Sequence, residues 1–235
     1  MHRLLTAGIA LLGLSLGLCA CTLGPVDGEG SASTAPAGPT SSTADPLRIA
    51  VVGDSNTTGL GGTLDRGVET GSSYAAQLGH DDLEVVGGWA HDGASSELMA
   101  AQVTPVADVD VLVVMAGTND PAQGVDAARR EAALTTIDGV VSPTHTVLLA
   151  VPPIDVRPRQ AADMNAELAA FAESRQWNFH DPWQALRSSD DTWLSDYRLD
   201  GIHTNAQGYA ALGTDVGDYL QDSFADDAAS SAGQG

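Results

Sequence analysis

Four short runs of this 235-residue chain hold the residue types that nucleophilic chemistry needs: Gly53–Asp54–Ser55, an isolated Gly93, Gly117–Thr118–Asn119–Asp120, and Asp200–Gly201–Ile202–His203. A serine hydroxyl is a poor nucleophile until a base takes its proton, and the imidazole of His203 is the natural base because histidine titrates near neutrality. Asp200 lies three residues before His203, so its carboxylate can come back beside the ring, fix the tautomer through Nδ1–H and stabilise the imidazolium formed during attack. Ser55, His203 and Asp200 therefore make a candidate triad for attack on an acyl carbonyl.

Composition narrows the rest. The ten basic residues are all Arg, and Lys is absent, which excludes a Walker phosphate loop, a Schiff-base lysine and a kinase lysine. The formal net charge of −21 repels phosphate backbones, so no nucleic-acid partner is expected. Gly53–Asp54–Ser55–Asn56–Thr57 departs from the G-x-S-x-G nucleophile elbow, and neither H-E-x-x-H nor a G-x-G-x-x-G after a strand occurs. The two cysteines cannot build a disulfide framework or a zinc site, and His80, His91, His145 and His180 have no carboxylate or histidine at a metal-ligand spacing strong enough to interpret. No cofactor and no metal are expected, although His91 lies close to Gly93.

The cysteines have another use. Met1–His2–Arg3 is a small basic start, and Leu4 to Leu18 is an uncharged run of 15 residues, the length of a signal peptide rather than a membrane span. Leu18–Cys19–Ala20–Cys21 resembles a bacterial lipobox, with an aliphatic residue three before Cys21 and a small one just before it. The resemblance implies a signal peptide over 1–20, cleavage after Ala20 and lipidation of Cys21; an ordinary secretory signal cut nearby is the plainer alternative. Residues 22–46 are Gly, Pro, Ser or Thr at 16 of 25 positions, so 21–46 reads as an anchored cysteine followed by a flexible tether with a reach of about 25–30 Å. The expected location is the outer face of a bacterial cell membrane, held by the lipid. Residues 223–235 read as a frayed acidic tail, which leaves 47–222 as the working domain.

Within that domain short aliphatic runs alternate with helical periods. Leu47–Val52, Leu83–Val86, Val109–Met115 and Thr146–Val151 read as strands buried on both faces, with Asn178–His180 a weak fifth. Helical spacing links Val125, Ala128, Ala132 and Ile137, then Met164, Leu168 and Phe171, and most clearly Tyr209, Leu212, Val216 and Leu220. The alternation predicts a three-layer α/β/α domain on a mainly parallel sheet of about five strands, with ligands bound beyond the carboxyl ends of the strands. All four chemical motifs fall at such places.

The ordered set resembles the SGNH, or GDSL-type, serine esterase and lipase family. Supporting residues are Asn165, Asp181 after the last strand, and Asn205 with Gly208–Tyr209 beyond His203. The resemblance implies a flavodoxin-like SGNH hydrolase fold, Ser55 as nucleophile, and an oxyanion hole made by the backbone N–H of Ser55, the backbone N–H of Gly93 and the side-chain amide of Asn119. Gly93 makes physical sense there because a residue without Cβ lets the backbone approach a substrate closely. Asp54 and Asp120 are expected to brace their turns, and Asn205 or Thr204 to cap the last helix.

The expected function is an extracytoplasmic esterase that cleaves short-chain acyl, acetylated-sugar or lipid esters through an acyl-serine. Without a lid insertion, its site should be open and shallow. A non-catalytic surface lipoprotein that binds an acylated glycan or lipid, and an envelope O-acyltransferase, are the alternatives.

Overall fold

In the first strand, Leu47–Gly53 (β1), every residue but Arg48 is buried, and successive side chains feed opposite faces of one sheet. Ile49 and Val51 enter one apolar core while Ala50 and Val52 enter the other. A strand can be apolar throughout only where both faces are covered, so β1 must lie inside a layered α/β structure. The computed structural model describes residues 45–61, 63–64, 73–78 and 81–231. The signal peptide, Cys21 and nearly all of the tether lie outside the described residues.

Around β1 the sheet runs β2–β3–β1–β4–β5–β6, built from Thr63–Leu64 (β2), Leu83–His91 (β3), Val111–Met115 (β4), His145–Leu149 (β5) and Asn178–His180 (β6). β1, β3, β4, β5 and β6 are parallel, and two-residue β2 is antiparallel to β3. The three-layer, mainly parallel expectation is met, and β2 is an addition at the edge.

The long C-terminal helix Ala206–Ser231 (α5) covers one face with Tyr209, Leu212, Val216, Leu220 and Phe224. Ser96–Gln102 (α2), Ala127–Val141 (α3) and Pro158–Arg175 (α4) cover the other through Met99, Leu134, Ile137 and Leu168. Asp126 caps α3 by accepting from Arg129 N, and Ser95 caps α2 by accepting from Leu98 N.

Two boundaries and one helix differ from expectation, each for a physical reason. β3 continues five residues past Val86 to His91, because Gly87 and Gly88 do not end it but carry an irregular register in which Ile49 opposes Val85 and Ala50 opposes Gly87. Gly88 has φ +133°, and a Cβ there would fall 1.9 Å from the Val51 carbonyl oxygen, so only glycine lets the two strands meet. Helix α2 is an addition to the expected elements; at seven residues it is too short to show a period, and it presents Ser96 and Met99 inward. α5 runs past residue 222 to Ser231; Phe224 is buried against His145 and Tyr219, and this packing carries the helix beyond the boundary.

Candidate active site

Ser55 is placed by the exit from β1. It opens a four-residue helix, Ser55–Thr58 (α1), whose N-cap is Asp54, with the Asp54 carboxylate accepting from Asn56 N at 2.9 Å. Gly53 is required for space: a Cβ there would lie 1.9 Å from Thr57 Oγ1, so α1 can fold back onto the strand end only if position 53 has no side chain. Ser55 is thereby almost covered, at 7% exposure, with its hydroxyl turned to the loop before α5.

That loop carries the base. Ser55 Oγ is 2.8 Å from His203 Nε2, and His203 Nδ1 is 2.7 Å from Asp200 Oδ2. The other Asp200 oxygen accepts from Ile202 N at 3.0 Å and His203 N at 2.8 Å, so a tight turn holds the carboxylate against the ring. Gly201 makes the turn possible with φ +93°. Burial pushes the Asp200 carboxyl up, but donors from the His203 ring, Ile202 N and His203 N outweigh it and leave the group below the usual carboxylate value. Asp200 is thus an anion beside the ring, as an orienting carboxylate should be.

A second tether, unread in the sequence, holds this loop to the rest of the domain. Asp155, after β5, accepts from Trp193 N at 3.0 Å and from Arg198 Nε at 2.5 Å, while its own N–H donates to the Gly201 carbonyl at 2.9 Å. Spacing could not signal it, since Asp155 and Arg198 are 43 residues apart.

The three candidate oxyanion donors come from the start of α1 and from the segments after β3 and β4, the two strands that flank β1. Gly93, beyond β3, has φ +76° with open space where a Cβ would stand, so its conformation rather than crowding calls for glycine. The neighbouring Asp92 accepts from Thr58 Oγ1 at 2.5 Å and from Gly61 N at 2.8 Å, which ties the Gly93 loop to α1. Asn119, beyond β4, donates from Nδ2 to the Ala94 carbonyl at 3.0 Å and to Asp54 Oδ2 at 3.2 Å. Both protons of the Asn119 amide are therefore engaged in the free protein.

Asp54 does more than brace its turn. It is wholly buried, it caps α1 and it orients the Asn119 amide. Burial pushes its carboxyl from the ordinary 3.8 up to about 6, against the pull of the Asn56 donors. A raised acid keeps its proton in the native state after the unfolded chain has lost it, so stability falls as pH climbs from the ordinary carboxylate range to about 6. The displacement corresponds to about 3 kcal/mol. Asp54→Asn removes this titration, and its unfolding midpoint is expected to gain on the parent between about pH 4 and pH 7. Parallel midpoint–pH profiles for the two proteins would show that Asp54 is not so shifted.

The remaining expectations resolve as architecture. Asp120 accepts from Ser96 N and Ser96 Oγ, both at 2.8 Å, and pins α2 to the end of β4. Asn205 caps α5 by accepting from Gly208 N at 3.0 Å, whereas Thr204 donates to the Tyr197 carbonyl. Asn165 grips the end of β5 by bonding both Val151 N and Val151 O. His91 is exposed and bonds the Asp92 carbonyl, and His180 pairs with Asp215 at 2.6 Å, far from Ser55 in the strand order. His80 lies outside the described residues.

Beside Asn119 and Ile202 opens a cavity of about 280 Å³, walled largely by apolar side chains from the loop after β5 and from α4.

Residues 51–211 match the model of the GDSL-like Lipase/Acylhydrolase family. No curated protein sequence matches the chain. Among solved structures, a GDSL-like lipase from Bacteroides thetaiotaomicron superposes with a TM-score of 0.57 at 15% identity, over 75% of this chain and 88% of that one. A family 3 carbohydrate esterase from Clostridium thermocellum gives 0.55 at 17% identity, covering 76% and 96%. A catalytic mutant of an acetylxylan esterase from Geobacillus stearothermophilus gives 0.55 at 17%, covering 76% and 94%. At these identities the likeness is one of fold.

Proposed function

The chain belongs to the GDSL-like lipase/acylhydrolase family, whose members act on esters, and from that premise we propose that it cleaves carboxylic esters outside the cytoplasm through an acyl-Ser55 intermediate. The observation that carries the reading is the unbroken relay from Ser55 Oγ to His203 Nε2 at 2.8 Å and from His203 Nδ1 to Asp200 Oδ2 at 2.7 Å.

In that relay His203 takes the Ser55 proton as Oγ attacks the ester carbonyl, and Asp200 steadies the imidazolium. The oxyanion that forms would be met by the N–H groups of Ser55 and Gly93 and by the Asn119 amide. Asn119 can supply a proton because its bond to Asp54, at 3.2 Å, is long, and an incoming oxyanion competes for it. The imidazolium then protonates the departing alcohol, and water activated by the same ring releases the acid. Asn119→Ala is expected to lower kcat by about 10²–10³-fold with a smaller change in KM, measured on any ester that turns over. An undiminished kcat would remove Asn119 from the oxyanion hole.

The extracytoplasmic location rests on the first 46 residues alone: the basic start, the apolar run, the lipobox-like Leu18–Cys19–Ala20–Cys21 and the small-residue tether. A lipid on Cys21 would anchor the domain to the membrane through that segment.

The test of the activity is intact-mass measurement after exposure to a fluorophosphonate, a probe that reports an activated serine without knowledge of the substrate. A single adduct on Ser55 is expected. Folded protein that takes no adduct would overturn the catalytic reading.

A further inference from the structure

The Gly93 donor sits on a stretch of chain that side-chain packing does not hold. Gly93 is exposed with φ +76°, and, its chain neighbours aside, nothing among the described residues lies within 4 Å of where its Cβ would stand. A glycine so placed is free to turn the peptide planes on either side of it. An oxyanion donor must be aimed before the charge develops, so its direction has to be set by hydrogen bonds instead.

Two amides from one turn of chain supply them. Just beyond Asn119, Pro121–Gln123 makes a single 3₁₀ turn with proline at its start, where a fixed φ and a missing N–H cost nothing. Gln123 N donates to the Asn119 carbonyl at 3.2 Å, and the four-residue spacing brings both side chains to one side of the turn. Gln123 Nε2 donates to the Gly93 carbonyl at 2.8 Å, and Asn119 Nδ2 donates to the next carbonyl, that of Ala94, at 3.0 Å. Two consecutive carbonyls after β3 are therefore gripped by two amides from the segment after β4. The grips are not equivalent. Asn119 is shared with Asp54 and is itself a candidate donor to the oxyanion, whereas Gln123 has no second task.

We propose that Gln123 is a positioning residue of the oxyanion hole: its bond to the Gly93 carbonyl keeps the Gly93 N–H aimed while Asn119 turns a proton to the oxyanion. The inference rests on the acyl-Ser55 reading, and Gln123 touches neither the ester nor the reacting atoms in it. The bond is separable from the fold, because other contacts tie α2 to the segment after β4. Asp120 accepts from Ser96 N and Ser96 Oγ, Arg129 Nε donates to Glu97 at 2.8 Å, and Arg129 Nη1 donates to the Gly124 carbonyl at 2.8 Å. Removing the exposed Gln123 amide loosens Gly93 and leaves both segments attached.

Two replacements that share only the loss of the donor test this. Gln123→Met keeps the length of the side chain, and Gln123→Glu keeps its shape but sets a carboxylate against a carbonyl. Both should lower kcat by at least about tenfold, short of the 10²–10³-fold that a lost donor costs, with KM within about twofold of the parent and the unfolding midpoint nearly unmoved. Phenylboronic acid gives the sharper readout. Its boron bonds the Ser55 oxygen as His203 takes the proton, which sets a boronate oxygen where the oxyanion would form, so its Ki should rise by about the factor by which kcat/KM falls. A bond with only a structural role would shift the unfolding midpoint and leave Ki where it was. If Ser55 of the parent takes the fluorophosphonate but Gln123→Met keeps its kcat and Ki, or Gln123→Glu is fully active, the positioning proposal falls and the esterase reading stands. If the parent takes no adduct and cuts no ester, both fall together.

Discussion

Replacing Ser55 by Ala is expected to cut kcat by about 10⁶-fold while leaving the fold intact, which separates chemistry from structure at one atom. The loss is large because serine, base and orienting acid act as a unit, so removing the nucleophile costs nearly as much as removing all three. What remains is the small acceleration that oxyanion donors and binding give without a nucleophile. Stability should barely change, because the cap of α1 comes from Asp54 rather than from Ser55 and alanine is a good helix former. The measurements are single-turnover ester cleavage and a thermal unfolding curve on the same preparation. A Ser55→Ala protein that folds normally and keeps more than about a hundredth of the parent rate would remove Ser55 from the mechanism.

His203→Ala tests the other end of the same bond and is expected to cost about the same, near 10⁶-fold in kcat. Here the hydroxyl of Ser55 is still present at the start of α1, so the loss measures activation rather than the nucleophile itself. The loop should keep its shape, because the backbone bonds that define it do not use the ring: Asp200 still accepts from Ile202 N and from the N–H of position 203, and Leu199 N still donates to the carbonyl of position 203. Asp155 also continues to hold Trp193, Arg198 and Gly201. Fluorophosphonate labelling is the sharper readout, since an unactivated serine labels orders of magnitude more slowly. Labelling at the parent rate would mean that Ser55 is activated by something other than His203.

The two variants also differ in what they do to Asp200. Its lowered carboxyl depends in part on the bond from His203 Nδ1, so the stability that this bond confers is present above the ordinary carboxylate range and lost as pH falls through the depressed value. His203→Ala should therefore flatten the acid edge of the stability profile, and Ser55→Ala should leave it unchanged.

Residue order alone specifies the layered α/β class, the strands at 47–53, 111–115, 145–149 and 178–180 to within about two residues, and the places of Ser55, Gly93, Asn119, Asp200 and His203 at strand or loop ends. These are legible because both signals are local. A strand covered on two faces must be apolar throughout, as Ile49–Val52 are, and an amphipathic helix must repeat its apolar residues every three or four positions, as Tyr209, Leu212, Val216 and Leu220 do. The candidate triad can be named because a nucleophile, a base and an orienting acid each need a particular functional group.

Features that depend on distance between remote segments emerge only in the folded chain. The second strand reads only as far as Val86 until the Val51 backbone is seen against Gly88. The Asp155–Arg198 clamp joins loops 43 residues apart, and the raised Asp54 carboxyl is set by how completely its neighbours exclude water. The cavity beside Asn119 exists only because Asn119, Ile154, Val156, Met164 and Ile202, drawn from three separate stretches of chain, converge at one end of the sheet. A volume between side chains has no periodicity and no motif, so no sequence pattern records it. It forms only when packing has fixed where each chain segment stops short of the next.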